Sequence, residues 1–383
     1  MILENYSDAR LNLPPELNYL EEVKNSCTEL VHCCDNKFEL NFKDYIKKIE
    51  VSTFTQHVKS YTHWCDRFPF KFDTAAAEIN FMIIVEMLTG VFGYQPDEIS
   101  AKLGGEMDQF ILAGCISLFL SYTELDSKIL RELTVLQISE NFRIPLSKEE
   151  PALKDPKTGE YISGMTIMKP TVLQPLAKGI VNVLNGVGKI LDTLGSATVG
   201  DLIVNKFKDT TSGNDVVKFL VNTFPYFNDS TKIEIDGGEK VVRLNLFSSA
   251  TRVCLNLHRN HTKLFNFSDV DNFLVILPFT YDFLYTQKIG ILSLNDNRSG
   301  IDNTNLLACQ KSMYATNLYI SIKLTEYYKS MMCCAQTPVQ ESNISAEPSS
   351  SATVAAIVPY NWFIFWYSYE KSMKAGGDGS IYI

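Results

Sequence analysis

The sequence is poor in the residues that build metal centres. It has five histidines and no H-x-x-x-H spacing, and its nine cysteines contain no C-x-x-C. No zinc site is expected, and no other metal or cofactor. An odd number of cysteines, with Cys33-Cys34 and Cys333-Cys334 adjacent, does not make a disulfide framework. Reduced thiols in a cytoplasmic protein are the expectation. Basic residues are in the minority, 35 Lys and Arg against 44 Asp and Glu, for a net charge of −9. That balance excludes a uniformly basic surface, so no direct contact with nucleic acid is expected. A long apolar run is also missing. Phe81 to Val85 is strongly apolar, but Glu86 breaks it well short of the ~20 residues a membrane span needs. The first twenty residues carry acids and prolines where a signal peptide needs a basic start and an apolar run. A soluble protein without a membrane partner is expected. No internal repeat is visible.

What is present is enough apolar material for a large core. Hydrophobic residues make up 45% of the 383 positions and charged residues 21%, which excludes global disorder. The periodicities are helical for most of the chain. Residues 15–50 read as two helices with a break near Asp35-Asn36, and 51–64 continue helically. Asp73 or Thr74 caps a helix from there to Phe92 that is apolar around most of its circumference, the mark of a buried central helix. Further helices are expected over Asp108–Tyr122, Asp126–Phe142 and residues 172–194, the last closed by Gly195. Gly179, Gly186 and Gly188 weaken that last helix on propensity, so close packing must hold it. Residues 145–170 read as a polar loop. Asp269–Gly290 reads as two short helices broken at Pro278, and Asn303–Met332 as one long helix. Residues 336–353, rich in Ser and Pro, read as a disordered or exposed loop.

The chain is organised around Asp215–His258. Val216, Val217, Leu220 and Val221 recur at helical spacing, and Phe224-Pro225 stops the helix, because a residue before proline is pushed out of the α region. TKIEI and KVVRL then flank Asp236-Gly237-Gly238, a turn signal between two short β-prone runs. Ser248 or Ser249 is placed to cap a helix through Leu257. This order, with F-P-x-[FY]-x-D leading into the hairpin, resembles the queuosine salvage protein family. The likeness extends through QPLAKGIVNVLNGVGKILDTLGSATVGDLI, FSDVDNFLVILPFTYDFLYTQKIGIL, YNWFIFWYSYEKSMK and the tail IYI. It is weaker before about Phe70. The resemblance implies a mostly α fold with one small hairpin near 231–244, like the helical architecture of DNA glycosylases. It also implies hydrolysis of the ribosyl–base bond of queuosine 5′-phosphate, releasing queuine.

Such a hydrolysis passes through an oxocarbenium-like state. It needs a carboxylate near the sugar, a way to protonate the departing base, and a positioned water. Four stretches are candidates. In Glu86–Phe92 the resemblance makes Glu86 a base- or water-positioning acid and Phe92 part of the base site. A core helix with one tolerated glutamate is the competing reading. In Pro278–Tyr285 the family reads F-A-D-Y-R-L-P, and its Asp aligns with Pro278 or Phe279. Asp282, about one helical turn on, is the nearest acid and the candidate catalytic carboxylate, with Phe279 against the base. In Phe247–Thr251 the family's Y-K-R-A-Q has become F-S-S-A-T. Ser248, Ser249 and Arg252 would meet the phosphate, or the serines are a simple N-cap. In Asn361–Tyr367 aromatic character survives and two acids are gone. Asn361, Trp362 and Phe365 would line the base pocket, or the stripe is core.

Each stretch keeps its shape and loses charge. Either substrate or mechanism has shifted, or the fold persists without catalysis. The leading expectation is an N-glycosidase whose partner is a small modified nucleotide. The alternative is a catalytically degenerate relative acting as a binding or assembly subunit with protein partners. In domain terms, 1–70 reads as an N-terminal helical part, and 71–335 with 354–383 as the queuosine-salvage-like domain.

Overall fold

Most of the described residues are helical. In a computed structural model, the described residues are 16–33, 71–92, 107–122, 124–151, 166–235 and 240–273, the backbone of 38–40 and 292–294, and a few single positions. In chain order the elements are α1 (Tyr19–Cys33), β1 (Phe38–Leu40), α2 (Ala75–Phe92), α3 (Met107–Ser121), α4 (Ser127–Glu132), α5 (Val135–Phe142), β2 (Ser147–Pro151), β3 (Thr166–Pro170), α6 (Gln174–Leu194), α7 (Val199–Phe207), α8 (Gly213–Thr223), β4 (Thr231–Ile235), β5 (Lys240–Leu244), α9 (Ser248–Asn260) and β6 (Leu292–Leu294). The protein is mostly α. The chain divides into two compact units. One comprises Met1–Arg10, Phe72–Lys208 and Thr223–Tyr226. The other comprises Leu11–Lys71, Asp209–Asn222 and Phe227–Ile383.

The first unit is built on α2. Its side chains are apolar on nearly every face, and Ile79, Phe81, Ile83, Ile84 and Leu88 are wholly buried. Removing each such side chain from water stabilises the fold by roughly 1.5–3 kcal/mol. Helices α3 and α7 pack on it, and α4 and α5 pack on α6. Asn80 joins the unit across the core: its Nδ2 donates to Leu125 O (3.2 Å) and its Oδ1 accepts from Val199 N–H (3.1 Å). Among the described residues α2 is the one helix long and apolar enough to cross a membrane by length and composition, which the sequence reading had denied it; 61% of it is buried inside the protein. The glycines of α6 allow the close packing expected of them. A Cβ on Gly188 would sit 2.7 Å from Arg131 N and Ser127 O of α4. Gly195 closes α6 at φ 65°, as expected.

The helix expected over Asp126–Phe142 is two. α4 ends at Glu132, its C-cap Leu133 leaves the helical conformation, and a capping box, Thr134 with Gln137, starts α5. The loop expected over 145–170 is instead the β2–β3 hairpin, pairing Ser147 with Pro170 and Pro151 with Thr166. No hydrophobic alternation announces it, because nine of its ten strand residues are exposed and need no apolar face. Lys148 and Lys169 both bridge Glu150, at 2.6 and 2.8 Å. The expectation of a single hairpin is thus corrected.

In the second unit, β4 and β5 form the expected hairpin, Thr231 opposite Leu244 and Ile235 opposite Lys240. β1 pairs antiparallel with β6. Helix α1 packs on β5, where Ser26 Oγ both donates to Asn245 O (3.1 Å) and accepts from Asn245 N–H (3.2 Å). The helix starts at Ser248, yet neither serine caps it: the N-cap position is Phe247. The helices expected over 51–64, Asp269–Gly290 and Asn303–Met332, and the loop over 336–353, lie largely or wholly outside the described residues.

Candidate functional site

The start of α9 is assembled from three parts of the motif-bearing stretch. Pro225 breaks the helical run and sends the chain through a single 3₁₀ turn, Pro225–Phe227. Two residues later comes Asp229, 5% exposed. Its carboxylate accepts the backbone N–H of Phe247 (2.5 Å) and of Ser248 (3.0 Å), and the hydroxyl of Ser248 (2.5 Å). The first N–H groups of a helix have no partner within it and carry the positive end of its dipole. A buried carboxylate there is compensated by three donors and by that dipole. The hairpin is the arm that brings Asp229 and the α9 start together, since its two strands return the chain to where it left.

The fit holds a strained residue. Phe247 lies at φ 44°, ψ 35°, a left-handed conformation that costs a non-glycine residue roughly 1–2 kcal/mol. It is fully buried and stacked on Tyr19, centroids 5.1 Å apart. Tyr19 is fixed in turn, its hydroxyl donating to Asn222 Oδ1 (3.0 Å) and its N–H to Asn214 Oδ1 (2.8 Å). Surroundings that over-determine a residue are what such strain requires.

Ser248 therefore gives both its N–H and its hydroxyl to Asp229. Ser249, also buried, accepts from Arg252 Nη2 at 3.1 Å, and Arg252 is half-buried. The structure thus joins Ser249 to Arg252 one turn into α9. Burial, with Asp229 nearby, pushes the Cys27 thiol well up, so it is an inert side chain rather than a nucleophile. Cys27, Cys33, Cys115 and Cys254 are free thiols.

The other candidates fall elsewhere. Glu86 and Phe92 belong to the first unit. Phe92 is buried, 1% exposed, and Glu86 is half-buried and engaged by a neighbour, neither sealed in the core nor standing in solvent. Asp282, Phe279, Asn361, Trp362 and Phe365 lie outside the described residues. Among the described residues no group of three or more His, Cys, Asp or Glu could hold a metal ion. Sequence reasoning gave no role to Asp229; the signal for it was the closing Asp of F-P-x-[FY]-x-D. No family model and no curated protein matches the chain.

Proposed function

We propose that the chain is a queuosine-salvage-like N-glycosidase, on a helical fold of the DNA-glycosylase kind, that hydrolyses the ribosyl–base bond and releases queuine. The observation that carries this reading is the Asp229 junction. F-P-x-[FY]-x-D, hairpin and helix follow one another in the order that suggested the family, and the closing aspartate of the motif is what builds the helix start. In the proposed reaction the glycosidic C–N bond breaks and the base leaves with the electron pair. Positive charge develops on the ribose, and Asp282 stabilises it. Water adds its oxygen to the anomeric carbon and gives its proton to a carboxylate, and the base takes up a proton. Phe279, Trp362 and Phe365 pack on the deazapurine, with Asn361 at its edge. No metal or cofactor is required, and the proposed setting is cytoplasmic.

The α9 start bears on the substrate. Asp229 already fills it with negative charge, which repels a second anion, and Arg252 is the basic group left in that stretch. Queuosine and its 5′-phosphate should therefore be turned over with similar KM. The test is incubation of the purified chain with each, following free queuine, beside Asp282→Asn, which is nearly isosteric and should abolish release.

A second reading is a non-enzymatic binding or assembly subunit. The observation favouring it is that Ser248, where the family has a basic residue, is spent on an internal bond to Asp229. No queuine above an empty-preparation control, with no rise in melting temperature on adding either ligand, selects this reading.

A further inference from the structure

We infer that His258 is an acid-sensitive latch on the second unit: its neutral imidazole holds the Phe265–Phe273 segment, and with it the Asp269 carboxylate that starts α8, and protonation lets both go. His258 lies on the last turn of α9 and is 5% exposed. Its Nδ1 accepts the backbone N–H of Phe267 at 3.2 Å, which places the proton of the neutral ring on Nε2. The ring also stacks on Phe267, centroids 6.0 Å apart. Phe265, Phe267 and Phe273 are buried together, so the segment is pinned by apolar contact as well as by that bond.

Two residues beyond Phe267, Asp269 accepts the N–H groups of Gly213 (2.8 Å) and Asn214 (2.9 Å), the first residues of α8. The Phe273 ring lies where a Cβ on Gly213 would be, 2.2 Å from its Cζ. Ser268 N–H donates to Thr211 O (2.8 Å) just before the helix. The capping aspartate and the residues around it therefore arrive at α8 as one piece, and His258 holds that piece through Phe267.

A protonated imidazole carries a hydrogen on both nitrogens. Nδ1–H would then face Phe267 N–H, donor against donor, with the bond lost. The charged groups acting on His258 are Asp269, on the segment it holds, and Arg259, its neighbour on α9. Cys254, one turn back on α9, donates to Gly213 O (3.7 Å), and burial keeps it protonated and uncharged. Burial lowers the affinity of His258 for a proton; the Phe265 carbonyl and Asp269 act the other way and do not offset it. The unfolded chain takes up this proton near about pH 6.5 and the folded chain only below that. The stabilisation is full above about pH 6.5 and is lost as pH falls toward the folded value.

The test is amide hydrogen exchange on the full chain, corrected for intrinsic rates, between about pH 7.5 and about pH 5.5, a range in which histidine titrates. Gly213, Asn214 and Phe267 are expected to lose protection together. The Ile129 and Gln137 amides, at the starts of α4 and α5, should keep theirs. His258→Gln retains an acceptor and cannot titrate, so its three amides should show no such loss. Protection retained to the lower pH in the wild type, or lost equally in His258→Gln, overturns the latch. Should His258→Gln fail to fold, the imidazole ¹⁵N shifts of the wild-type chain decide: Nδ1 bare at neutral pH sustains the proposal, and Nδ1 protonated ends it.

Discussion

The helices of the two units are started with different reliance on distant residues. In the first unit the caps are local. Asp126 takes Ile129 N–H (2.7 Å), Thr134 takes Gln137 N–H (3.3 Å) and Thr198 takes Asp201 N–H (3.0 Å), each three residues on. Asn80 adds a distant acceptor at Val199, beside the local cap of α7. In the second unit local caps exist too, Asn18 taking Leu20 N–H (3.1 Å) and Glu21 N–H (3.3 Å) on α1 and Ser212 taking Asp215 N–H (3.2 Å) on α8, but distant acceptors are added to them. Asp229 serves α9 from 18 and 19 residues away, Asp269 serves α8 from 55 and 56, and Asn214 serves Tyr19 at the start of α1 from 195. A local cap stabilises its helix whatever the rest of the chain does. A distant cap exists only once the surrounding fold exists, so α9, whose N-cap residue Phe247 offers no side-chain acceptor, cannot be started independently of the stretch that carries Asp229. The second unit, which holds Asp229 and the start of α9, is thus the part whose helix starts draw most on distant residues.

The largest effect that would sharpen this contrast is at Asp229. Asp229→Ala leaves two buried N–H groups and a buried hydroxyl without their acceptor, and the strained Phe247 without its anchor. The expected loss is about 3 kcal/mol or more, a large share of an ordinary domain's stability. It should appear in urea titration together with loss of amide protection along α8, α9 and the hairpin. If protection falls at the first turn of α9 alone, the distant cap behaves like a local one and the contrast collapses. Asp126→Ala is the matching change in the first unit. It should cost about 1 kcal/mol, with protection lost over α4 only. The smallest effect is expected at Glu150. Hydrogen bonds from Lys148 and Lys169 hold its carboxyl down to about 2, so it stays ionised as pH falls until that range is reached. The pair of bridges lies on a ribbon exposed at its other nine strand positions, where solvent screens them. Glu150→Gln should leave the urea midpoint of either unit unmoved.

The same division decides what the sequence made legible. Within the first unit, the buried α2, the Gly195 stop and the close approach at Gly188 follow from apolar spacing and residue type. The misses there have plain causes. Thr134-x-x-Gln137 is a helix start hidden inside a run whose periodicity continues across it, and β2–β3 has no apolar face to announce it. The stop at Phe224-Pro225, which falls to the first unit, and the hairpin of the second unit are legible, because Pro, Gly and β-branched residues act on their own neighbours. The start of α9 is not. Two serines before an apolar run resemble a cap, yet the N-cap is a phenylalanine and the capping oxygen belongs to Asp229. Of the candidate site, the family resemblance singled out Phe247–Thr251 and left Ser248 either meeting a phosphate or serving as a simple N-cap. The partner it has in the structure, Asp229, is one that no window around Ser248 contains.

The reach of Asn214 to Tyr19 also bears on synthesis. A ribosome adds about 5–20 residues per second, so the 195 residues between donor and acceptor take roughly 10–40 s to emerge. During that interval the whole of Phe72–Lys208 is made, with its local helix starts already complete. The nascent chain can therefore consolidate its middle while α1, with Leu20, Val23, Cys27 and Leu30 on the face it will bury, has its local Asn18 cap but still lacks the Asn214 acceptor and the strand it packs against. Those apolar residues are the ones a chaperone would meet first and hold longest.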